Sequence, residues 1–115
     1  MIVAVVGSRT FADEKLLDET LSRFHAKNPI TKIVSGGARG ADSLAEKWAR
    51  SKDIPVTVYP AEWNKYGRRA GMIRNRLIIA DCQHCIAFWD GVSRGTKNDI
   101  DLCGEFNVPY TIVRF

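Results

Sequence analysis

The apolar residues of this chain fall into five short runs that are separated by longer, mixed segments. Most of the runs are continuously apolar rather than alternating, which is typical of strands that are covered on both faces of a sheet. The runs are also rich in β-branched and aromatic residues, which favour extended backbone. The sequence therefore predicts five strands, at Ile2–Val6, Lys32–Ser35, Val56–Tyr59, Cys85–Trp89 and Tyr110–Val113.

The segments between the runs carry apolar residues at helical spacing, and each such stripe predicts an amphipathic helix that packs on the sheet. Strands that alternate with helices predict a parallel sheet with right-handed connections. We therefore expect one α/β domain over residues 1–115, a Rossmann-like three-layer sandwich of about five parallel strands and about four helices. The stripes are Leu17, Leu21 and Phe24; Ala41, Leu44, Ala45, Trp48 and Ala49; Ala70, Ile73 and Leu77; and Thr96, Ile100, Cys103 and Phe106.

Length and composition narrow the class of protein. The chain has 115 residues, of which 45% are apolar and 26% charged, so it is expected to fold rather than to be disordered. No apolar run approaches the roughly 18 residues that span a bilayer, and the first strand leaves no room for a signal peptide. Three cysteines, an odd number, favour reduced thiols and a cytoplasmic location. Cys82 and Cys85 are interpreted as structural thiols, and neither a metal nor a cofactor is expected.

The net charge of +4 is concentrated in one segment. Between Glu62 and Asp81 there are five basic residues and no acidic one, and removing these five charges leaves −1 for the rest of the chain. A local basic segment indicates a local anionic partner, although a solvated helix face would give the same pattern. Part of the segment falls in Pro60–Arg69, the longest stretch expected to be irregular, which also contains Trp63 and Tyr66. The basic residues are Lys65, Arg68, Arg69, Arg74 and Arg76.

Three glycine-rich turns follow predicted strands, and ligands of open parallel sheets bind beyond the carboxyl ends of the strands. Glycine lets the backbone approach a phosphate closely, N–H groups at a helix start point toward it, and an arginine adds a charged hydrogen bond. One glycine turn would indicate only a tight connection, but three with an arginine each predict a phosphate-bearing ligand. The turn residues expected to bind it are Gly7, Ser8, Arg9, Ser35, Gly36, Gly37, Ala38, Arg39, Gly40, Asp90, Gly91, Ser93, Arg94, Gly95 and Thr96.

Four residues outside these turns are also expected to bind the ligand: Asp42, Trp63, Arg69 and Asn75. Asp42 stands just inside a predicted helix and is either an N-terminal cap or an acceptor for a ribose hydroxyl. The first turn is not G-x-G-x-x-G, and no G-x-x-x-x-G-K-[ST] occurs. Dinucleotide oxidoreduction and P-loop ATP hydrolysis are therefore disfavoured.

Four short motifs together resemble the SLOG superfamily, and in particular its small YspA-like branch. They are Val5–Arg9, Ser35–Asp42, Ala70–Arg76 and Gly95-Thr96, which run in this order from the first predicted strand to the fourth predicted helix. The superfamily also contains the Lonely-guy phosphoribohydrolases and the DNA-processing protein A family. The resemblance implies a Rossmann-like fold with a pocket for a nucleotide or a nucleotide-derived small molecule at the strand ends.

Two further functions are implied by the same resemblance. In the phosphoribohydrolase branch a glycine-threonine pair binds phosphate, and a glutamate and an arginine serve the cleavage of an N-glycosidic bond. Gly95-Thr96 match that pair, Asp99 falls where the glutamate would be, and Arg74 is the match for the arginine. Asp99 is one methylene shorter than glutamate, and the preceding turn lacks the full glycine pair. A carboxylate that only stabilises the helix start would explain Asp99 equally well.

Resemblance to the DNA-processing branch gives single-stranded nucleic-acid binding as a second alternative, with Trp63 and Tyr66 stacking on bases beside the basic segment. The small size of the chain favours a small molecule over a strand. No membrane partner is expected. The resemblance and the exposed basic helix favour a homo-oligomer.

Overall fold

A five-stranded parallel sheet forms the centre of the fold, which a computed structural model describes for residues 1–115. The strand order is β3-β2-β1-β4-β5, so the chain reverses its direction across the sheet between β1 and β4. A Rossmann-like parallel sheet was predicted and is confirmed. The strands are β1 (Ile2–Gly7), β2 (Lys32–Ser35), β3 (Val56–Val58), β4 (His84–Trp89) and β5 (Tyr110–Arg114).

Helices cover both faces of this sheet. On one face α1 (Glu14–Lys27) and α2 (Ala41–Ser51) pack against Val3 and Val5 of β1 and their neighbours. On the other face α4 (Ala70–Ala80) and α5 (Arg94–Glu105) pack against Ala4 and Val6. Successive strand residues point to opposite faces, so β1 must be apolar at every position to serve both layers.

Two local signals set the bounds of α1. Asp13 accepts a hydrogen bond from the Leu16 backbone N–H at 3.0 Å, which caps the first turn. The helix ends at Lys27, because Asn28 has extended backbone and Pro29 follows it. Trp48 of α2 is buried in the same layer, as the apolar stripe of that helix predicts.

The segment between β3 and α4, expected to be irregular, is mostly helical. It contains a single turn of helix, α3 (Trp63–Tyr66), and a 3₁₀ turn at Gly67–Arg69. The Glu62 carbonyl accepts hydrogen bonds from the N–H groups of both Lys65 and Tyr66, at 3.0 Å each. Gly67 then adopts a φ of +58°, which ends α3. Pro60 and Gly67 suggested a loop, but one turn of helix fits between them.

The apolar stripe predicted for α4 is wrong at one position. Leu77 is 47% exposed, whereas Ile78 and Ile79 are buried and Asn75 faces inward with them. Apolar residues surround α4 on nearly all sides, so spacing alone did not fix which side packs on the sheet.

The edge strands also differ from expectation, because most of β5 is exposed and β3 is only partly covered. No helix has the length and apolar character needed to cross a membrane.

Candidate functional site

The three glycine-rich turns meet at the carboxyl edge of the sheet, where the strand order reverses beside β1 and β4. A cavity of 380 Å³ opens between them. The turns after β1, β2 and β4 contribute to its wall together with α4 and the first turns of α5. Its lining residues are Val6, Gly7, Ser8, Arg9, Thr10, Ala38, Asp42, Arg74, Asn75, Ile78, Asp90, Ser93, Gly95, Thr96 and Asp99.

A second cavity of 360 Å³ adjoins the first. The two cavities share Arg9, Ala38 and Arg74 as a common wall. Trp63 lines only the second cavity, and its side chain is 54% exposed. This cavity is a shelf with an indole face and three arginines, whose lining residues are Arg9, Gly36, Gly37, Ala38, Arg39, Val58, Pro60, Ala61, Trp63 and Arg74.

Five residues predicted to bind the ligand do not line either cavity: Ser35, Gly40, Arg69, Gly91 and Arg94. The hydroxyl of Ser35 is buried and donates to Glu46 Oε2 at 2.8 Å. Arg69 and Arg94 are exposed, in the 3₁₀ turn and at the start of α5 respectively. We therefore assign these five no direct contact with a ligand inside either cavity.

Gly40 holds two of the turns together. Its φ is +80°, and a Cβ placed on it would lie 2.5 Å from the Ser8 carbonyl oxygen. No other residue type fits between the turns after β1 and β2 at this separation. Gly91 also has a positive φ, of +90°, but the group against it is the guanidinium of Arg114, the end of a flexible side chain.

The side chain of Asp42, in the first turn of α2, reaches back into the turn after β2, which was expected to bind phosphate through its backbone. Its Oδ2 accepts hydrogen bonds from the N–H groups of Gly36 at 3.1 Å and Ala38 at 3.2 Å. Burial raises the pKa of this carboxyl from 3.8 to about 6, against the lowering effects of the Ala38 N–H, the Arg74 charge and the Gly36 N–H. The two amides are therefore already satisfied by the protein.

Arg74 forms the wall between the two cavities. Its Nη1 donates to the Gly36 carbonyl at 2.9 Å, and its Nε donates to Asn75 Oδ1 at 3.0 Å. Asn75 in turn donates from Nδ2 to Asn98 Oδ1 at 3.0 Å. No carboxylate lies within 4.0 Å of the guanidinium, so its charge is not consumed by an ion pair. Sequence reasoning missed Asn98, since only the packing of α5 against α4 brings it to Asn75.

The turn after β4 is organised by Asp90. Its Oδ1 accepts from the N–H groups of Val92 at 2.9 Å and Ser93 at 2.8 Å, and these hydrogen bonds hold the pKa of the carboxyl below its ordinary value. Trp89 Nε1 donates to the Ser93 carbonyl at 3.0 Å. The Arg114 guanidinium lies over the Trp89 ring, 5.4 Å from its centroid. Arg114 therefore supports this turn, and no motif in the sequence pointed to it.

Two polar atoms in the wall of the first cavity are buried without a hydrogen-bond partner: Ser8 Oγ and Asp99 Oδ1. Burial raises the pKa of Asp99 well above its ordinary value, the Asp42 charge adds to this rise, and the Arg74 charge opposes it. Burial and the Asp42 charge both favour the acid form of this carboxyl over its carboxylate. Unpaired buried polar groups are uncommon in folded proteins, and a bound ligand is one explanation for them.

None of the three cysteines lines either cavity. Burial raises the pKa of the Cys82 thiol to about 12, and Cys85 and Cys103 are buried. The raised pKa makes Cys82 a poor nucleophile and a poor metal ligand, whereas a hydrogen bond with Cys85 lowers the pKa of Cys103. No group of three or more His, Cys, Asp and Glu side chains is arranged to hold a metal ion.

The family described as "YAcAr: YspA, cpYpsA-related SLOG family" matches residues 1–66, which include the turns after β1 and β2. The chain belongs to this family. It is also 35% identical over 114 aligned residues to the Gene 61 protein of Mycobacterium phage D29, with 93% of this chain and 91% of that protein covered. The resemblance that the turn motifs suggested is thereby confirmed.

Two solved structures share the fold. DNA processing protein A from Streptococcus pneumoniae superimposes with a TM-score of 0.81 at 21% identity, over 98% of this chain and 50% of that one. DNA processing protein A from Helicobacter pylori, described for its single-stranded DNA binding mode, gives a TM-score of 0.75 at 24% identity. That match covers 97% of this chain and 64% of the other. Because the chain spans less than two thirds of either protein at such low identity, these likenesses show the fold alone.

Proposed function

We propose that the first cavity binds a nucleotide or a nucleotide-derived phosphorylated molecule. The observation that carries this proposal is the pair of unpaired buried atoms, Ser8 Oγ and Asp99 Oδ1, in the wall of one cavity. A cavity of 380 Å³ is within the usual size range of small-molecule sites, roughly 300 to 1,000 Å³. A buried polar group without a partner destabilises the protein by about 1 to 3 kcal/mol. A ligand that forms hydrogen bonds with the two groups would remove this cost.

The phosphate fits best at the start of α5. Gly95 and Thr96 lie in its first turn, where backbone N–H groups have no partner within the helix and the helix dipole favours negative charge. Ser8 Oγ lines the same space, and Arg9 and Arg74 supply positive charge from the shared wall. The turn after β2 is a weaker candidate, because Asp42 already accepts from its amides.

The shelf beside the first cavity suits a base. Trp63 presents an exposed indole there, and stacking of a base on an aromatic side chain contributes about 1 to 3 kcal/mol. Arg9 and Arg74 border both cavities, so a phosphate between them would leave a base or ribose free to extend to either side.

We further propose that residues 1–115 form a single domain, because all five strands belong to one sheet.

Calorimetric titration with adenosine, guanosine and their 5′-monophosphates tests the binding function. We expect the monophosphates to bind more tightly than the nucleosides. Ser8→Ala removes a buried hydroxyl that has no hydrogen-bond partner in the protein, so it should not lower stability and should weaken monophosphate binding about tenfold. Ser51→Ala is the matched control, since Ser51 bonds only to the Trp48 carbonyl in α2. Equal affinity of the parent and Ser8→Ala, or no binding of any of these compounds, would contradict the proposal.

Cleavage of an N-glycosidic bond is a second candidate, favoured by the carboxyl of Asp99, whose Oδ1 has no partner and whose pKa is raised by burial. The acid form of this carboxyl can donate a proton to the departing base while water adds to C1′ of the ribose, which breaks the C1′–N bond and forms a C1′–O bond. Arg74 would hold the phosphate.

Chromatography for released base, after incubation with nucleoside monophosphates, tests this candidate. Asp99→Asn should abolish release, and Asp101→Asn, on the exposed side of α5, should not. Absence of released base with the parent protein, while ligand still binds, would leave a binding module.

Single-stranded nucleic acid is a third candidate, favoured by the exposed Trp63 on a shelf with three arginines. Lys65 and Arg68 extend the positive charge beyond the shelf on α3 and the 3₁₀ turn. Fluorescence titration of an oligothymidylate at several salt concentrations distinguishes this candidate. A strand binder should show a log–log slope near −0.7 per contacted phosphate, and a flat response would exclude it.

A further inference from the structure

Asn98 lies at the end of a chain of hydrogen bonds that leads to the shared wall of the two cavities. It accepts at Oδ1 from Asn75 Nδ2, at 3.0 Å, and Asn75 accepts at its own Oδ1 from Arg74 Nε, also at 3.0 Å. Arg74 Nη1 then donates to the Gly36 carbonyl at 2.9 Å. The chain thus joins α5 through α4 to the turn after β2.

We propose that Asn98 is a positioning residue for Arg74, and that through Asn75 it fixes the guanidinium that faces the ligand phosphate. This inference rests on the proposed binding function. Asn98 does not line either cavity, so its effect on the ligand must pass through another side chain.

The direction of the hydrogen bonds explains why Asn98 is needed. The amide of Asn75 has an acceptor at one end and a donor at the other. Only the orientation with Oδ1 toward Arg74 accepts the Nε–H, since the reverse would set two donors against each other. In this orientation Nδ2 points away from Arg74, and Asn75 is 6% exposed, so Nδ2 needs a protein acceptor. Asn98 Oδ1 is that acceptor and so stabilises the orientation that holds Arg74.

Holding Arg74 in this way leaves part of its guanidinium for the ligand. Nε and Nη1 are used by the protein, whereas Nη2 has no protein partner and no carboxylate lies within 4.0 Å of the group. A long arginine side chain otherwise loses conformational freedom when it binds an anion. Fixing it beforehand reduces that loss, so Asn98 should matter for phosphate-containing ligands and not for ligands that lack phosphate.

The test uses Asn98→Ala and Asn98→Asp, with Lys97→Ala as a control on the exposed side of α5. Alanine is a good helix former and preserves α5, and aspartate retains an oxygen that can accept from Asn75. The first readout needs no ligand. It is exchange with water of the Arg74 Nε–H resonance in a ¹⁵N–¹H spectrum, assigned by its loss in Arg74→Lys. The second readout is the ratio of affinities for adenosine monophosphate and adenosine.

In Asn98→Ala we expect faster exchange of the Nε–H and an affinity for the monophosphate reduced about tenfold, which is about 1.4 kcal/mol, with adenosine unaffected. Asn98→Asp should keep the resonance protected, and Lys97→Ala should match the parent in both readouts. Unchanged exchange in Asn98→Ala would overturn the inference, as would equal losses for the monophosphate and adenosine. If the parent binds no nucleotide, the binding function fails, and the exchange of the Nε–H still decides whether Asn98 positions Arg74.

Discussion

Replacing Asp42 by asparagine removes a buried charge while keeping an acceptor for the turn after β2. In the parent protein one oxygen, Oδ2, accepts from both the Gly36 and the Ala38 N–H groups. An amide oxygen can take the same two hydrogen bonds, although they lose the strengthening that a negative charge gives. Asp42→Asn therefore separates the charge of this side chain from its hydrogen bonds.

The magnitude of the effect follows from the pKa of Asp42, which burial raises from 3.8 to about 6. The folded protein then binds this proton more tightly than the unfolded chain does, so the free energy of unfolding falls as the pH rises between these two values. Above pH 6 the buried charge costs about 3 kcal/mol, at 1.36 kcal/mol for each unit of pKa. Asparagine does not titrate and carries no such cost.

Urea denaturation at pH 4.5 and pH 7.5, followed by far-ultraviolet circular dichroism, measures this cost. We expect the stability of Asp42→Asn relative to the parent to improve by about 2 kcal/mol between the two pH values, because the ionisation penalty is only partly developed at the lower one. Comparing the two proteins at each pH cancels the contributions of groups that titrate equally in both.

A difference between the two proteins that is the same at both pH values would refute this reasoning, since it would mean that Asp42 titrates at its ordinary pKa. Asp42→Ala is the companion variant. It leaves the Gly36 and Ala38 N–H groups without an acceptor, at about 1 to 3 kcal/mol each, and should be less stable than Asp42→Asn at both pH values.

Two further pairs of substitutions test the packing of the fold, each by urea denaturation. Ile78→Ala should cost about 2 to 4 kcal/mol because Ile78 is buried against the sheet, whereas Leu77→Gln should change stability by less than about 0.5 kcal/mol because Leu77 is exposed. A larger loss of stability in Leu77→Gln than in Ile78→Ala would mean that Leu77 lies on the buried face of α4, as its apolar spacing predicted. Gly40→Ala should cost about 2 to 4 kcal/mol, since φ is +80° and its Cβ would meet the Ser8 carbonyl. Gly104→Ala in α5 meets open space and should gain about 0.5 kcal/mol, and similar values for the two glycines would refute the close approach at Gly40.

The sheet could be predicted because its strands serve two layers at once. Val3 and Val5 enter one core and Ala4 and Val6 the other, which requires an unbroken apolar run, and its short length and β-branched residues favour a doubly covered strand over a buried helix. The phase of α4 could not be predicted in the same way. Its apolar residues surround the helix, so only the position of the sheet decides that Ile78 is buried and Leu77 is not.

The candidate site, like the fold, could be predicted from the sequence only in part. Turns that follow parallel strands must meet at one edge of the sheet, so Ser8, Arg9 and Thr96 could be placed near one another from the sequence. Which atoms remain available there depends on contacts between distant segments. Asn98 reaches Asn75 across 23 positions of sequence, and neither residue has a local signal for that contact.

The polar groups around the first cavity fall into two sets, and the division supports a binding site over a merely structural cluster. Asp42 and Asp90 each accept two backbone N–H groups and thereby hold turns in place. Ser8 Oγ and Asp99 Oδ1 are buried and have no hydrogen-bond partner in the protein, although the Ser8 hydroxyl is near enough to Asp90 to help lower the pKa of that carboxyl. A structural role for Asp99 would give it a partner, because an unpaired carboxyl destabilises the fold that contains it. The turns after β2 and β4 keep their hydrogen bonds without these two groups, which leaves both groups available to a molecule from outside the chain.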